Sequence, residues 1–444
     1  METLLLKYWD RLRSSFWFVP AVMAVLAVAL ALSAVEFDKA DEGWLQGLGW
    51  IYSGGAEGAS QLLGTVAGSM IAIAGTVFSM TLVALSLASS QLGPRLPRNF
   101  MRDTANQVVL GTFVATFVYC LLVLRTIRRA DEVAFVPHLS VSIGMLLAIV
   151  SIGVLIYFIH HVSVSIQADQ VVARVGKELE KGIDRLFPGH LGKPGAKVAK
   201  APSEADLPES FAREARPVNA LDDGYLQMID ADALMKLAGE EDLLLRLERR
   251  PGHYLVKGRA MVMVWPGERV TETLVEKINE AFVLGNQRTA AQDVEFSFHQ
   301  LVEIAARALS PGINDPFTAV ACVDRLGSGL CRLAEREMPS THRFDGDGRL
   351  RLVALASSFA GIVDTAFNQI RQSARSNPAV AIRMLDAIAQ IADHVQRPPD
   401  AACLQRHADM IVRAAREAVP EADDLLAVEV AFTAATQALR ELSG

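Results

Sequence analysis

Residues 58–94 contain no Asp, Glu, Lys or Arg, and the same absence marks residues 14–35, 104–124 and 133–168. A helix in water needs a polar face, so four such runs at one end of a chain exclude an ordinary soluble fold. Each run supplies the ~20 residues that cross ~30 Å of hydrocarbon at 1.5 Å per residue. Other absences narrow the chemistry. The four cysteines, Cys120, Cys322, Cys331 and Cys403, form no CxxC pair and no metal-ligand spacing, which predicts reduced structural thiols. No phosphate-binding loop, nucleophile elbow or catalytic triad signature occurs. With no acid, base and nucleophile constellation, an enzyme is not expected, and no motif calls for a cofactor or a metal. A net charge of -7 without a basic cluster argues against nucleic acid as a partner.

What is present agrees with a divided chain. Of 444 residues, 51% are hydrophobic, yet 21% are charged, and the mean hydropathy is +0.26. The expected fold class is a mainly α membrane protein with a C-terminal cytoplasmic domain. Residues 1–165 form the membrane part, with spans near 16–35, 62–88, 107–124 and 139–161. A helix and linker follow at 166–218, then a small β-containing module at 219–268 and a helical bundle at 269–444.

Lys and Arg set the orientation. Lys7, Arg11 and Arg13 precede the first span and Arg95, Arg98 and Arg102 follow the second, whereas the first loop is acidic. Both termini are therefore expected in the cytoplasm of a bacterial inner membrane, although Arg125, Arg128 and Arg129 sit in a loop this arrangement puts outside. The first apolar run is too long for a signal peptide, and its end makes a poor cleavage site, so it is read as a retained span. Trp9, Trp17, Trp44 and Trp50 lie near the expected interfaces.

The second span carries a heptad-spaced seam: Thr65, Ser69, Ala72, Thr76, Ser79, Val83, Ser86 and Ser90, with Gly64, Gly68 and Gly75 beside it. Small residues let helix backbones approach; hydroxyls at many depths also suit a wall facing water or ions. Both readings stand at this point, with Thr65, Ser69, Thr76, Ser79, Ser86 and Ser90 as pore-lining candidates. No acidic or basic residue interrupts the spans, which weighs against ion-coupled transport. Gly93-Pro94 ends the helix, and Arg95, Arg98 and Arg102 then present cations to anionic headgroups or to a cytoplasmic mouth. His160 and His161 close the fourth span at the same interface.

The densest motif beyond the spans is Ala308-Leu309-Ser310-Pro311-Gly312-Ile313-Asn314-Asp315-Pro316. A helix from about Arg288 ends at Leu309, and another begins at Pro316 with Asp315 as its cap. Ser310, Gly312, Asn314, Asp315 and Thr318 then surround a helix N-terminus, a candidate site for a small anion. His299 and Glu303 share a helix face with Arg288, Gln292 and Glu295, read as solvated or salt-bridged since no third metal ligand follows. Asp345-Gly346-Asp347-Gly348 lacks the later acidic ligand of a calcium loop and reads as a turn before a strand at 350–353.

Several of these segments resemble a widespread bacterial family of predicted membrane proteins with a domain of unknown function. They are Val77-Phe78-Ser79-Met80-Thr81-Leu82-Val83-Ala84, the Pro94-Arg95 loop ending Asn99-Phe100-x-Arg102-Asp103, and Gly111-x-Phe113-x-x-x-Phe117-x-Tyr119. Tyr157-Phe158-Ile159-His160-His161, Gln292-Asp293 and the 308–316 motif extend the likeness over nearly the whole chain. The resemblance implies one integral membrane architecture and brings no activity or ligand with it. Two function classes follow: an oligomeric channel or pore with a cytoplasmic assembly or gating domain, or a non-conducting scaffold or sensor whose cytoplasmic domain binds a partner. The expected partners are the bilayer, further copies of the chain and a small ion.

Overall fold

The computed structural model describes residues 17–40, 50–93, 104–128, 135–165, 167–187 and 207–441. The chain divides into two units, Met1–Gln170 and Val171–Gly444. In the first, four helices are long and apolar enough to cross a membrane: α1 (Phe18–Ala40), α2 (Ala56–Leu92), α3 (Thr104–Thr126) and α4 (His138–Ser165). Helix is the form that satisfies every backbone N–H and C=O within one segment, as hydrocarbon requires. Each helix extends beyond its expected span at one end or both, α2 most of all. Its 37 residues make a rod about 55 Å long at 1.5 Å rise per residue.

α3 is the central helix and packs on α1, α2 and α4. Of its apolar stretch 44% is buried, against 28% in each of the others. Gly111 permits the close approach of α1: a Cβ there would lie 2.5 Å from the Met23 sulfur and 3.2 Å from the Pro20 Cα. Lower in the bundle, Phe113 and Phe158 pack with Met70, Ala74 and Val77. Thr116 and Ser151 meet at 3.2 Å, a buried polar contact between α3 and α4. The start of α4 is capped from a distance. Asp38, near the end of α1, accepts hydrogen bonds from the Leu139 and Ser140 amides at 2.9 and 2.8 Å and from the Ser140 hydroxyl at 2.5 Å. A carboxylate there meets both the unpaired amides and the positive end of the helix dipole.

The helix expected after the fourth span is present as α5 (Ala168–Leu186). Within the second unit α5 packs on α10 (Pro316–Ala334): Asp184 pairs with both Arg332 and Arg336 at 2.8 Å. Among its described residues this unit has no helix long and apolar enough to cross a membrane.

The β region is larger than 219–268. A short helix α6 (Phe211–Glu214) precedes β1 (Arg216–Asn219), β2 (Gly224–Ile229), α7 (Ala231–Glu240), β3 (Leu244–Leu247), β4 (Tyr254–Leu255), β5 (Ala260–Trp265), α8 (Glu272–Glu280) and β6 (Phe282–Gly285). A hairpin, β7 (His342–Phe344) and β8 (Leu350–Val353), joins from far along the chain. One sheet runs β1-β5-β3-β8-β7, with β3 and β8 parallel, and the other β4-β2-β6. Val218, Leu226, Leu245, Val262 and Leu352 are buried between them with Leu234 of α7 and Ile278 of α8. β1 falls in the segment expected to be linker and β6 in the one expected to be helical; the rest of the linker, 188–206, lies outside the described residues.

The remaining helices are α9 (Val294–Ala308), α10, α11 (Phe359–Ser373), α12 (Pro378–Ala392), α13 (Pro398–Ala418) and α14 (Ala422–Glu441). α9 starts at Val294 and not near Arg288, because Asp293 caps it by accepting from the Phe296 amide. Asp345 organises the β7–β8 turn: its carboxylate accepts from the Asp347 and Arg349 amides and from Arg351.

Candidate functional site

The hydroxyl seam of α2 lies on the surface of the first unit. Thr65, Ser69, Ala72, Thr76, Ser79, Val83, Ser86 and Ser90 are all exposed. The opposite face, including Leu63, Ala67, Met70, Ala74, Val77 and Ala84, is buried in the bundle. A Cβ added at Gly64, Gly68 or Gly75 would meet nothing within 4 Å. Among the described residues of the first unit the seam therefore packs against no other helix. Its hydroxyls donate back to carbonyls of their own helix: Thr65 to Gln61 at 2.7 Å, Ser69 to Thr65 at 2.8 Å and Thr76 to Ala72 at 3.1 Å. Ser90 donates to the Leu87 carbonyl at 2.9 Å. Each of these oxygens keeps its lone pairs as acceptors. Ser79 and Ser86 make no side-chain hydrogen bond among the described residues. Among the described residues the buried hydroxyls of α2 are Ser60 and Thr81, neither a seam position, and Thr81 bonds back to Val77 at 2.8 Å.

Arg95, Arg98 and Arg102 lie outside the described residues. His160 is exposed, and His161 stacks on Tyr157 with ring centroids 5.5 Å apart.

At the 308–316 motif the helix start is self-capped. Asp315 accepts from the Thr318 amide at 3.1 Å and from its hydroxyl at 2.5 Å. That carboxylate occupies the place an anion would take and repels a second negative charge. Ser310 donates to the Arg307 carbonyl at 2.6 Å, and Asn314, at φ 50°, turns the chain with its amide on the Ser310 carbonyl. Gly312 is exposed. The five residues build a turn and a cap, and the contacts among them bring no cation toward an anion.

A second polar centre joins residues that sequence spacing does not connect. Arg250, between β3 and β4, reaches Glu295 of α9 at 2.8 Å and the Ser357 hydroxyl at 2.8 Å. Arg288 bonds Asp293 at 2.7 Å. Gln292 holds the Ile229 backbone by both its oxygen and its nitrogen. Asp293 and Glu295 are only 3% and 8% exposed, so at Glu295 the face of α9 expected to be solvated or salt-bridged is salt-bridged, and buried against the β region. Burial raises the Asp293 pKa, opposed by Arg288. Burial also lowers that of His253, with Arg250 and Arg249 pressing the same way. This centre ties β region to helices; the signal for it was a run of charges whose partners lie on other elements. Among the described residues no group of three or more His, Cys, Asp or Glu is placed to hold a metal ion.

His407 of α13 is fully buried, with Nε2 2.9 Å from an Asp364 oxygen and Nδ1 unpartnered. Burial depresses its pKa below 6.5, and Arg406 and Arg371 add to this, against the pull of Asp364. The unfolded chain then binds the proton more readily than the folded one. Stability is thus fully present above about pH 6.5 and is lost as pH falls through that value toward the depressed one. Unfolding followed by circular dichroism should show a lower melting temperature at about pH 5.5 than at about pH 7.5. His407→Gln, which keeps a donor toward Asp364, should remove part of that difference.

Four apolar helices packed as one unit, followed by a larger unit without such helices, define a multi-span helical membrane protein. The chain belongs to the family described as predicted membrane protein (DUF2254), whose model matches residues 13–390. It is 32% identical over 443 residues to uncharacterized protein Rv1290c of Mycobacterium tuberculosis, covering 96% of this chain and 81% of that one. Uncharacterized protein Mb1321c of Mycobacterium bovis matches to the same extent. No solved structure gives a significant match.

Proposed function

We propose that this membrane protein works as a homo-oligomer in the bacterial inner membrane, with the seam of α2 lining a path for small ions between copies. The N-terminus and the C-terminal unit face the cytoplasm in this reading, and that unit assembles or gates the path. One observation carries it: the seam, with hydroxyls from Thr65 to Ser90, is exposed along its whole length. A face turned permanently to lipid gains nothing from hydroxyls, whereas close helix contact or hydrated ions both use them. Thiol chemistry has no part in this reading: burial pushes the Cys322, Cys331 and Cys403 thiols up, away from reactive thiolate.

The donation of Thr65, Ser69, Thr76 and Ser90 to carbonyls of their own helix favours a second reading, because it also satisfies the hydroxyls at a dry helix contact. In that case the protein is a non-conducting scaffold or sensor. Ser79→Cys and Ser86→Cys separate the two. On a conducting path both should react with water-soluble thiol reagents in membranes and change ion flux into proteoliposomes. If both stay unreactive and the protein passes no ions over a range of pH and voltage, the scaffold reading takes over.

A further inference from the structure

The first turns of α10 and α12 enclose an apolar cleft of about 270 Å³, lined by Pro316, Phe317, Val320, Ala379 and Ile382 together with Arg383 and Asp386. Phe317 is 85% exposed, the most exposed large hydrophobic side chain among the described residues. Its position is not that of a frayed end. Pro316 occupies the first helical position, and Asp315 caps the helix through the Thr318 amide and hydroxyl. An aromatic held in water on a capped helix forgoes the gain of burial, and aromatics are the residues that anchor protein interfaces.

The cleft beside it has the chemistry to receive such a ring. The cleft is open to solvent, and Val320, Ala379 and Ile382 offer no polar atom beyond the backbone. Knob and hole therefore share one face, which is the self-complementary arrangement a twofold contact between identical chains requires. The charges fit the same occupant. Asp324 and Arg383 are ion-paired, and Asp386 lies one helical turn from Arg383 in the cleft lining. A face carrying both signs matches a rotated copy of itself, while a uniformly acidic or basic partner meets like charge on one side.

We propose that two copies of this chain pair through this face, the Phe317 ring of each entering the other's cleft between Val320 and Ile382. The contact belongs to the C-terminal unit and is independent of the α2 seam. Phe317→Asp tests it alone, as Gly68→Leu tests the seam alone.

Two differently tagged full-length copies are co-expressed, one carrying Phe317→Cys and the other Ile382→Cys, and oxidised mildly in membranes. A disulfide-linked species bearing both tags is expected. It should be absent from untouched protein, whose Cys120, Cys322 and Cys403 are buried and whose Cys331 is half-buried, and from a pairing of Phe317→Cys with Leu426→Cys, an exposed position on α14. In a Gly68→Leu background, where the seam no longer holds copies together, Phe317→Asp should weaken self-association at least tenfold in mild detergent while leaving the melting temperature unchanged, since the ring touches water and not the core. Absence of the two-tag species, or an unchanged mass for Phe317→Asp in that background, overturns the proposal. So does a polarity-sensitive dye on Phe317→Cys that reports an apolar setting in lipid nanodiscs holding a single copy, because a bilayer then covers the ring.

Discussion

Glu295→Ala should destabilise the C-terminal unit by about 3 kcal/mol, the low end for stranding one member of a buried ion pair. The Glu295 and Arg250 side chains are 10% and 23% exposed. Removing the carboxylate leaves the guanidinium with Ser357 as its remaining side-chain partner. Denaturant unfolding of the full chain in mild detergent checks this. Trp265, bonded to Ser210 and Glu214, is the single tryptophan beyond the membrane helices and can report on it. Replacing both partners, Arg250→Met with Glu295→Met, should cost less than the sum of the single losses, because no charge is stranded. Additive losses would show that the two groups act separately.

Gly252→Ala should be nearly as damaging, for a different reason. Gly252 sits at φ +94°, and a Cβ there would fall 2.3 Å from Asp293 Oδ2 and 3.1 Å from Arg288 Nη2. The backbone strain is worth about 1–3 kcal/mol, and the clash pushes apart an ion pair whose acid also caps α9. A combined loss of roughly 3 kcal/mol or more follows. Gly258→Ala is the control: its φ is +79°, but a Cβ there meets nothing within 4 Å, so backbone strain is its main cost. Equal losses at the two positions would mean that the Asp293 contact contributes little.

These two positions mark where sequence stops being legible. The membrane helices were readable because a charge missing over twenty consecutive residues is a local signal, and Asp315-Pro316 announced a helix start for the same reason. The face of α2 that turns outward could be listed from its heptad spacing, but not what it meets, since burial belongs to the packed bundle. β1 and β6 are four residues each and owe their form to strands elsewhere in the chain: Val218 pairs with Val262, and Ile229 with Phe282. Arg250 and Glu295 are 45 residues apart. On one helix face Glu295 read as a solvated or salt-bridged acid, and only the fold of the β region shows which partner lies over it.

The length of α2 has a mechanical meaning. From Thr65 to Ser90 the hydroxyl-bearing rungs climb about 37 Å at 1.5 Å per residue, which exceeds a hydrocarbon slab of about 30 Å. An upright α2 would put the top and bottom rungs in the wet headgroup layers at the same time. A thicker or thinner bilayer changes how far the rod leans, and with it which rungs stand in water and which in oil. Lipid composition is thus a physical handle on this helix, without any ligand.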